Sequence, residues 1–158
     1  MADQKVMTRE EATAKILEVK QTKGLTWEEI ATAVGRHTVW TTAALLGQHP
    51  MSPEEAQKAV RVLGLGEDVA SAVVAALEEI PMRGSLDSTV PVDSLIIYRF
   101  YEIIQVYGTT MKAIIHEKFG DGILSAIDFE MDIQKKSDPK GDRVVVTLNG
   151  KFLPYRKW

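Results

Sequence analysis

Residues Tyr98–Ile127 read YRFYEIIQVYGTTMKAIIHEKFGDGILSAI, a long apolar and aromatic helical pattern that runs into a glycine-rich turn. Arg99 and Glu102 stand three residues apart, so on a helix they share a face and can touch. Their neighbours Ile96, Ile97, Tyr98, Phe100, Tyr101, Ile103 and Ile104 leave little room for a solvated face. A helix apolar nearly all round is usually buried. Two readings of the pair follow. It is a surface ion pair, or it is a paired, sheltered guanidinium suited to holding an anion through its planar fork of donors. Ser125 follows the Gly120-Asp121-Gly122 turn and offers a further hydrogen-bond donor to a small anion.

Downstream, Ala126 to Lys136 alternates: Ile127, Phe129, Met131 and Ile133 face one way, and Asp128, Glu130, Asp132 and Gln134 the other. That is the period of a half-buried strand. Asp138-Pro139-Lys140-Gly141 predicts a turn and Arg143 to Leu148 a second strand. Asn149-Gly150 predicts a hairpin turn, with Lys151 to Leu153 returning as a third strand. Tyr107-Gly108 divides the preceding pattern into two helices, from about Leu95 to Val106 and from about Thr109 to Phe119. Two helices and a small antiparallel sheet bury little, so the strands are expected to pair with another subunit.

Upstream, Thr8 with Glu11, Thr26 with Glu29 and Ser52 with Glu55 each form a capping box, in which hydroxyl and carboxylate satisfy helix-start amides reciprocally. Helices are expected to about Lys23, over Trp27–Val34, from His37 to Leu46, from Pro53, and from Asp68 to Glu79, with Gly24, Gly35, Gly47 and Gly64 as stops. Ile80 to Asp93, IPMRGSLDSTVPVD, reads as a linker. The fold class is therefore α+β: a five-helix bundle over residues 1–85, then a two-helix and antiparallel-sheet domain over residues 86–158.

The chain has 158 residues, 45% of them hydrophobic and 26% charged, a composition that folds. It has no cysteine, which excludes disulfides, thiolate nucleophiles and cysteine metal sites. His37, His49 and His116 are scattered without metal-ligand spacing, and the acidic strand face reads as solvated, so no metal is expected. Ser125 lacks the G-x-S-x-G setting of a hydrolase nucleophile. Helix, Gly35, helix resembles a helix-turn-helix, yet HTVWTTAALL is nearly uncharged. Residues 1–85 hold 9 Lys and Arg against 12 Asp and Glu. Nucleic-acid binding needs the opposite balance and is not expected. No apolar run reaches the roughly 18 residues of a membrane span, and the first residues lack the core of a signal peptide. A cytoplasmic protein is expected.

Several runs resemble the cyanase (cyanate hydratase, or cyanate lyase) family: Tyr98-Arg99-Phe100-Tyr101-Glu102, Gln105 to Thr110, His116 to Ile123 and Ser125-Ala126-Ile127. Thr42 to Gln48 and Pro81-Met82-Arg83-Gly84 agree as well. The resemblance runs in order through almost the whole chain. It implies bicarbonate-dependent decomposition of cyanate to carbamate and carbon dioxide, carbamate then falling apart to ammonia and carbon dioxide. It carries the family's catalytic Arg, Glu and Ser onto Arg99, Glu102 and Ser125. It implies no cofactor, with bicarbonate as co-substrate, and a homodecamer of five interlocked dimers with active sites shared between subunits. The family commonly has Asp-Pro shortly before the Arg/Glu helix. Here Pro91-Val92-Asp93-Ser94 stands there, which puts that helix's first turn in question. The rival reading is a transcription regulator whose C-terminal part senses a small anion, and the weak charge of residues 26–47 argues against it.

Overall fold

The computed structural model describes residues 6–81 and 93–158. The chain divides into two compact units, Met1–Ser85 and Leu86–Trp158, so the junction and most of the linker segment lie outside the described residues.

The first unit holds α1 (Arg9–Lys23), α2 (Trp27–Val34), α3 (Thr38–Leu45), α4 (Pro53–Leu63) and α5 (Glu67–Glu78). All three capping boxes form. The Glu11, Glu29 and Glu55 amides donate to the Thr8, Thr26 and Ser52 hydroxyls at 3.1, 3.1 and 3.2 Å, and the carboxylates accept in return from the cap amides at 2.9, 2.7 and 2.9 Å. These local bonds fix where each helix starts. Ile16, Ile30, Leu45, Leu63, Val73 and Leu77 then meet in one fully buried core. Burying such a side chain contributes roughly 1.5–3 kcal/mol, so this unit has a core of its own. Arg9 ties the far ends together. Its guanidinium donates to the carbonyls of Ala76 and Glu79 at the end of α5, of Ala44 in α3 and of His49. The α2 and α3 pair is joined through Gly35, and its likeness to a helix-turn-helix goes no further than that connection.

The second unit differs from the sequence expectation in two places. One 23-residue helix, α6 (Ile97–Phe119), replaces the two expected. Gly108 costs such a helix about 1 kcal/mol against alanine, but no proline follows it and its φ is not positive, so the turn simply continues. Likewise two long strands replace three. β1 (Gly122–Lys136) and β2 (Arg143–Pro154) form an antiparallel ribbon, and the reversal lies between residues 136 and 143. Asn149-Gly150 is not a turn. Asn149 pairs with Glu130 and Gly150 with Phe129 inside the ladder. An Asn-Gly hairpin needs positive φ at both residues, and neither has it.

No residue of α6 is buried, against the sheltering its apolar sequence implies. Ile103, Ile104, Val106, Tyr107 and Ile114 are all exposed. The physical reason is that a two-stranded ribbon has too little surface to cover a helix. Phe119 at the end of α6 meets Phe152 with ring centroids 5.2 Å apart. Among the described residues of this unit, Ser125 is the single buried side chain, 7% exposed.

Candidate active site

The charge pair lies near the start of α6, Arg99 in its first turn and Glu102 in its second. Asp93 starts the helix: its Oδ1 accepts from the amides of Ile96 (2.9 Å) and Ile97 (2.5 Å). These two bonds, Ile97 first, hold the Asp93 carboxyl below the usual carboxylate range. Asp93 thus caps the helix from within the unusual Pro91-Val92-Asp93-Ser94 run. The signal was an Asp three residues before an apolar helical run.

From that turn Arg99 Nη1 donates to Glu102 Oε2 at 3.0 Å, with the side chains 58% and 47% exposed. One turn of helix brings the two within reach, and the carboxylate fixes one edge of the guanidinium. Within one chain the pair is open to water, where the first of the two sequence readings, a surface ion pair, describes it.

Ser125 is held very differently. β1 and β2 pair from Gly122–Pro154 to Leu124–Phe152, lose register, and resume at Phe129–Gly150. The four residues Ser125 to Asp128 therefore oppose Lys151 alone, forming a wide bulge. Inside it the Ser125 Oγ accepts from the amides of Ile127 (3.1 Å) and Asp128 (3.0 Å). A hydroxyl has two lone pairs and one proton. With both lone pairs taken by backbone amides, the chemistry left to this hydroxyl is donation. It fits a group that hydrogen-bonds an oxygen better than one that accepts a proton. Sequence reading missed the bulge, and the trace it leaves there is a glycine at 150 that is not needed for a turn.

The three site residues are not brought together in one chain. Among the described residues no hydrogen bond or ion pair joins Ser125 to Arg99 or Glu102. The long helix holds their backbones apart. Arg99 lies 20 residues before the end of α6, about 30 Å along the axis at 1.5 Å per residue. Ser125 lies six residues past that end, a reach of about 20 Å at most. Even a chain doubled straight back would leave the two Cα atoms about 10 Å apart.

No group of three or more His, Asp or Glu side chains among the described residues is arranged to hold a metal ion. No helix among them is long and apolar enough to cross a membrane.

Comparison with known proteins covers both units. Residues 88–157 match the cyanate lyase C-terminal domain, and residues 9–81 match the cyanate hydratase N-terminal domain. The chain is 54% identical over 149 residues to the cyanate hydratase of Mycolicibacterium vanbaalenii, covering 94% of each chain. It is 53% identical over 152 residues to that of Thiobacillus denitrificans, covering 96% of this chain and all of the other. The crystal structure of cyanase from T. urticae superposes with a TM-score of 0.76 at 37% identity, covering 91% of this chain and 97% of that one.

Proposed function

The chain belongs to the cyanate lyase family, a family of enzymes, and from that premise we propose that it catalyses the bicarbonate-dependent decomposition of cyanate to carbamate and carbon dioxide. The observation that carries this reading is the match of residues 88–157 to the cyanate lyase C-terminal domain, a span that includes Arg99, Glu102 and Ser125.

Both substrates are small anions that repel each other. The work of the site is to hold them together and to stabilise the charge that develops as they react. Arg99 supplies positive charge and a planar fork of donors, and Glu102, at 3.0 Å, orients that fork. Ser125 donates its hydroxyl proton in a hydrogen bond to an oxygen of substrate or intermediate. The amides at its two lone pairs favour that direction. An oxygen of bicarbonate attacks the carbon of cyanate to give a mixed anhydride, which loses carbon dioxide. With the bicarbonate proton passed to nitrogen and one further proton taken up there, carbamate and carbon dioxide leave, and carbamate, on taking up another proton, breaks down to ammonia and a second carbon dioxide. Metal and cofactor have no assigned part, and bicarbonate is a co-substrate.

The site is completed by a neighbouring subunit. A helix with no buried residue beside a two-stranded ribbon, a pairing too small to be stable in water alone, supports this. Contiguous exposed apolar surface of this kind marks an interface. A homodecamer of five dimers in the cytoplasm is the assembly we assign.

The test is ammonia release from cyanate, measured with and without bicarbonate, beside a solution mass. Release that needs both anions, from a particle of ten chains, is expected. No release with both present would overturn the enzymatic assignment, and a monomer that is fully active would overturn the shared site.

A further inference from the structure

Gly150 has no conformational reason to be glycine. Its φ is not positive, and it sits in a regular ladder position opposite Phe129. What it lacks is room. A β-carbon at 150 would lie 2.6 Å from the Ser125 carbonyl oxygen, 2.7 Å from Leu124 Cδ1 and 3.2 Å from Phe129 Cδ2. The ends of the two side chains can turn aside. The carbonyl cannot, because it is the backbone of the serine itself. β2 and the bulge therefore touch, main chain to main chain, at the residue that carries the hydroxyl.

We propose that Gly150 is a positioning residue for Ser125: its missing side chain lets the bulge seat against β2 and so sets the direction of the Ser125 hydroxyl. The chain of consequence is short. The Ser125 carbonyl belongs to the same bulge backbone that carries the Ile127 and Asp128 amides, and those amides hold Oγ in place. A methyl group at 150 pushes the carbonyl away and swings the hydroxyl with it. Asn149, next along β2, pairs with Glu130 beyond the bulge.

The proposal rests on the assignment of Ser125 to the reaction, and its test separates the two. Ammonia release is measured for Gly150→Ala, Ser125→Ala, the double variant and Asn149→Ala in the full-length protein, each with its solution mass. Gly150→Ala is expected to keep its assembly and lose about tenfold to a hundredfold in kcat, the scale of a group misplaced by about 1 Å, with KM changed less than about threefold. In the Ser125→Ala background the same change is expected to cost less than about twofold, since the group it positions is gone. Asn149→Ala is expected to stay within about twofold of the parent. An equal loss from Gly150→Ala in both backgrounds, full activity of Gly150→Ala beside an impaired Ser125→Ala, or the same loss in Asn149→Ala would each overturn the proposal alone. Loss of assembly in Gly150→Ala would make the glycine a folding requirement and overturn it too. Full activity of Ser125→Ala would instead remove the serine from the reaction, and the proposal would go with it.

Discussion

Arg99→Lys keeps the positive charge at the start of α6 and removes the planar fork. In the folded chain the guanidinium meets Glu102 at 3.0 Å with both side chains about half exposed. An exposed pair of this kind contributes about 0–1 kcal/mol to stability, and lysine retains part of it. The urea midpoint and the solution mass should therefore hardly move. Turnover is on another scale. Losing one aimed donor to developing charge costs about 10²–10³ in rate, or ~3–4 kcal/mol. Lysine offers a point charge without the second parallel bond. The two magnitudes differ enough to decide between the readings, because a surface ion pair cannot account for a hundredfold change in rate. The assay is the initial rate of ammonia release at saturating cyanate and bicarbonate, on protein whose mass matches the parent. A rate within about threefold of the parent would refute the use of the fork.

Ser125→Ala should lower turnover by about a hundredfold or more while assembly persists. It also leaves the Ile127 and Asp128 amides without their acceptor, a loss of about 1 kcal/mol that a urea titration reads. Dissociation of the oligomer would make the serine structural instead. At Glu55, burial pushes the carboxyl up, but hydrogen bonds from the Ser52 amide and Arg36, with the Arg36 charge, outweigh it and leave the pKa lowered. A lowered folded pKa means the stabilisation is present above the unfolded value of about 4.3 and is lost as pH falls through the folded one. Glu55→Gln should then cost roughly 1–2 kcal/mol at pH 7, and the gap to the parent should narrow as pH falls below the unfolded value and through the lowered folded one. A gap that stays constant down to pH 3 would contradict this. Ile104→Asp places a charge on the exposed apolar length of α6 and should reduce the solution mass and activity together. An intact active decamer would show that this face is not an interface.

What could be read from the sequence was what is local in it. Each capping box spans four residues, and all three formed. Arg99 and Glu102 touch because one helical turn brings them together. Two errors have one cause. Gly108 was read as a break and Asn149-Gly150 as a hairpin turn, each by weighing a glycine against its neighbours alone. Gly108 sits in a helix that continues through it, and Gly150 answers to a carbonyl 25 residues earlier in the chain. The bulge around Ser125 was invisible for the same reason. It arises from the pairing register of β1 on β2, which no pattern within β1 encodes. The burial expected of α6 needs a covering surface that the two-stranded ribbon does not supply.

Arg9 bears on the order of events during synthesis. It lies in α1, yet its two terminal guanidinium nitrogens donate to carbonyls at residues 44, 49, 76 and 79. Until α5 has been made, two of those four carbonyls, of Ala76 and Glu79, do not exist. The last-made helix of the bundle thus locks the first. A nascent chain that stops before residue 67 lacks α5, and with it Val73, Val74, Ala76 and Leu77 of the core.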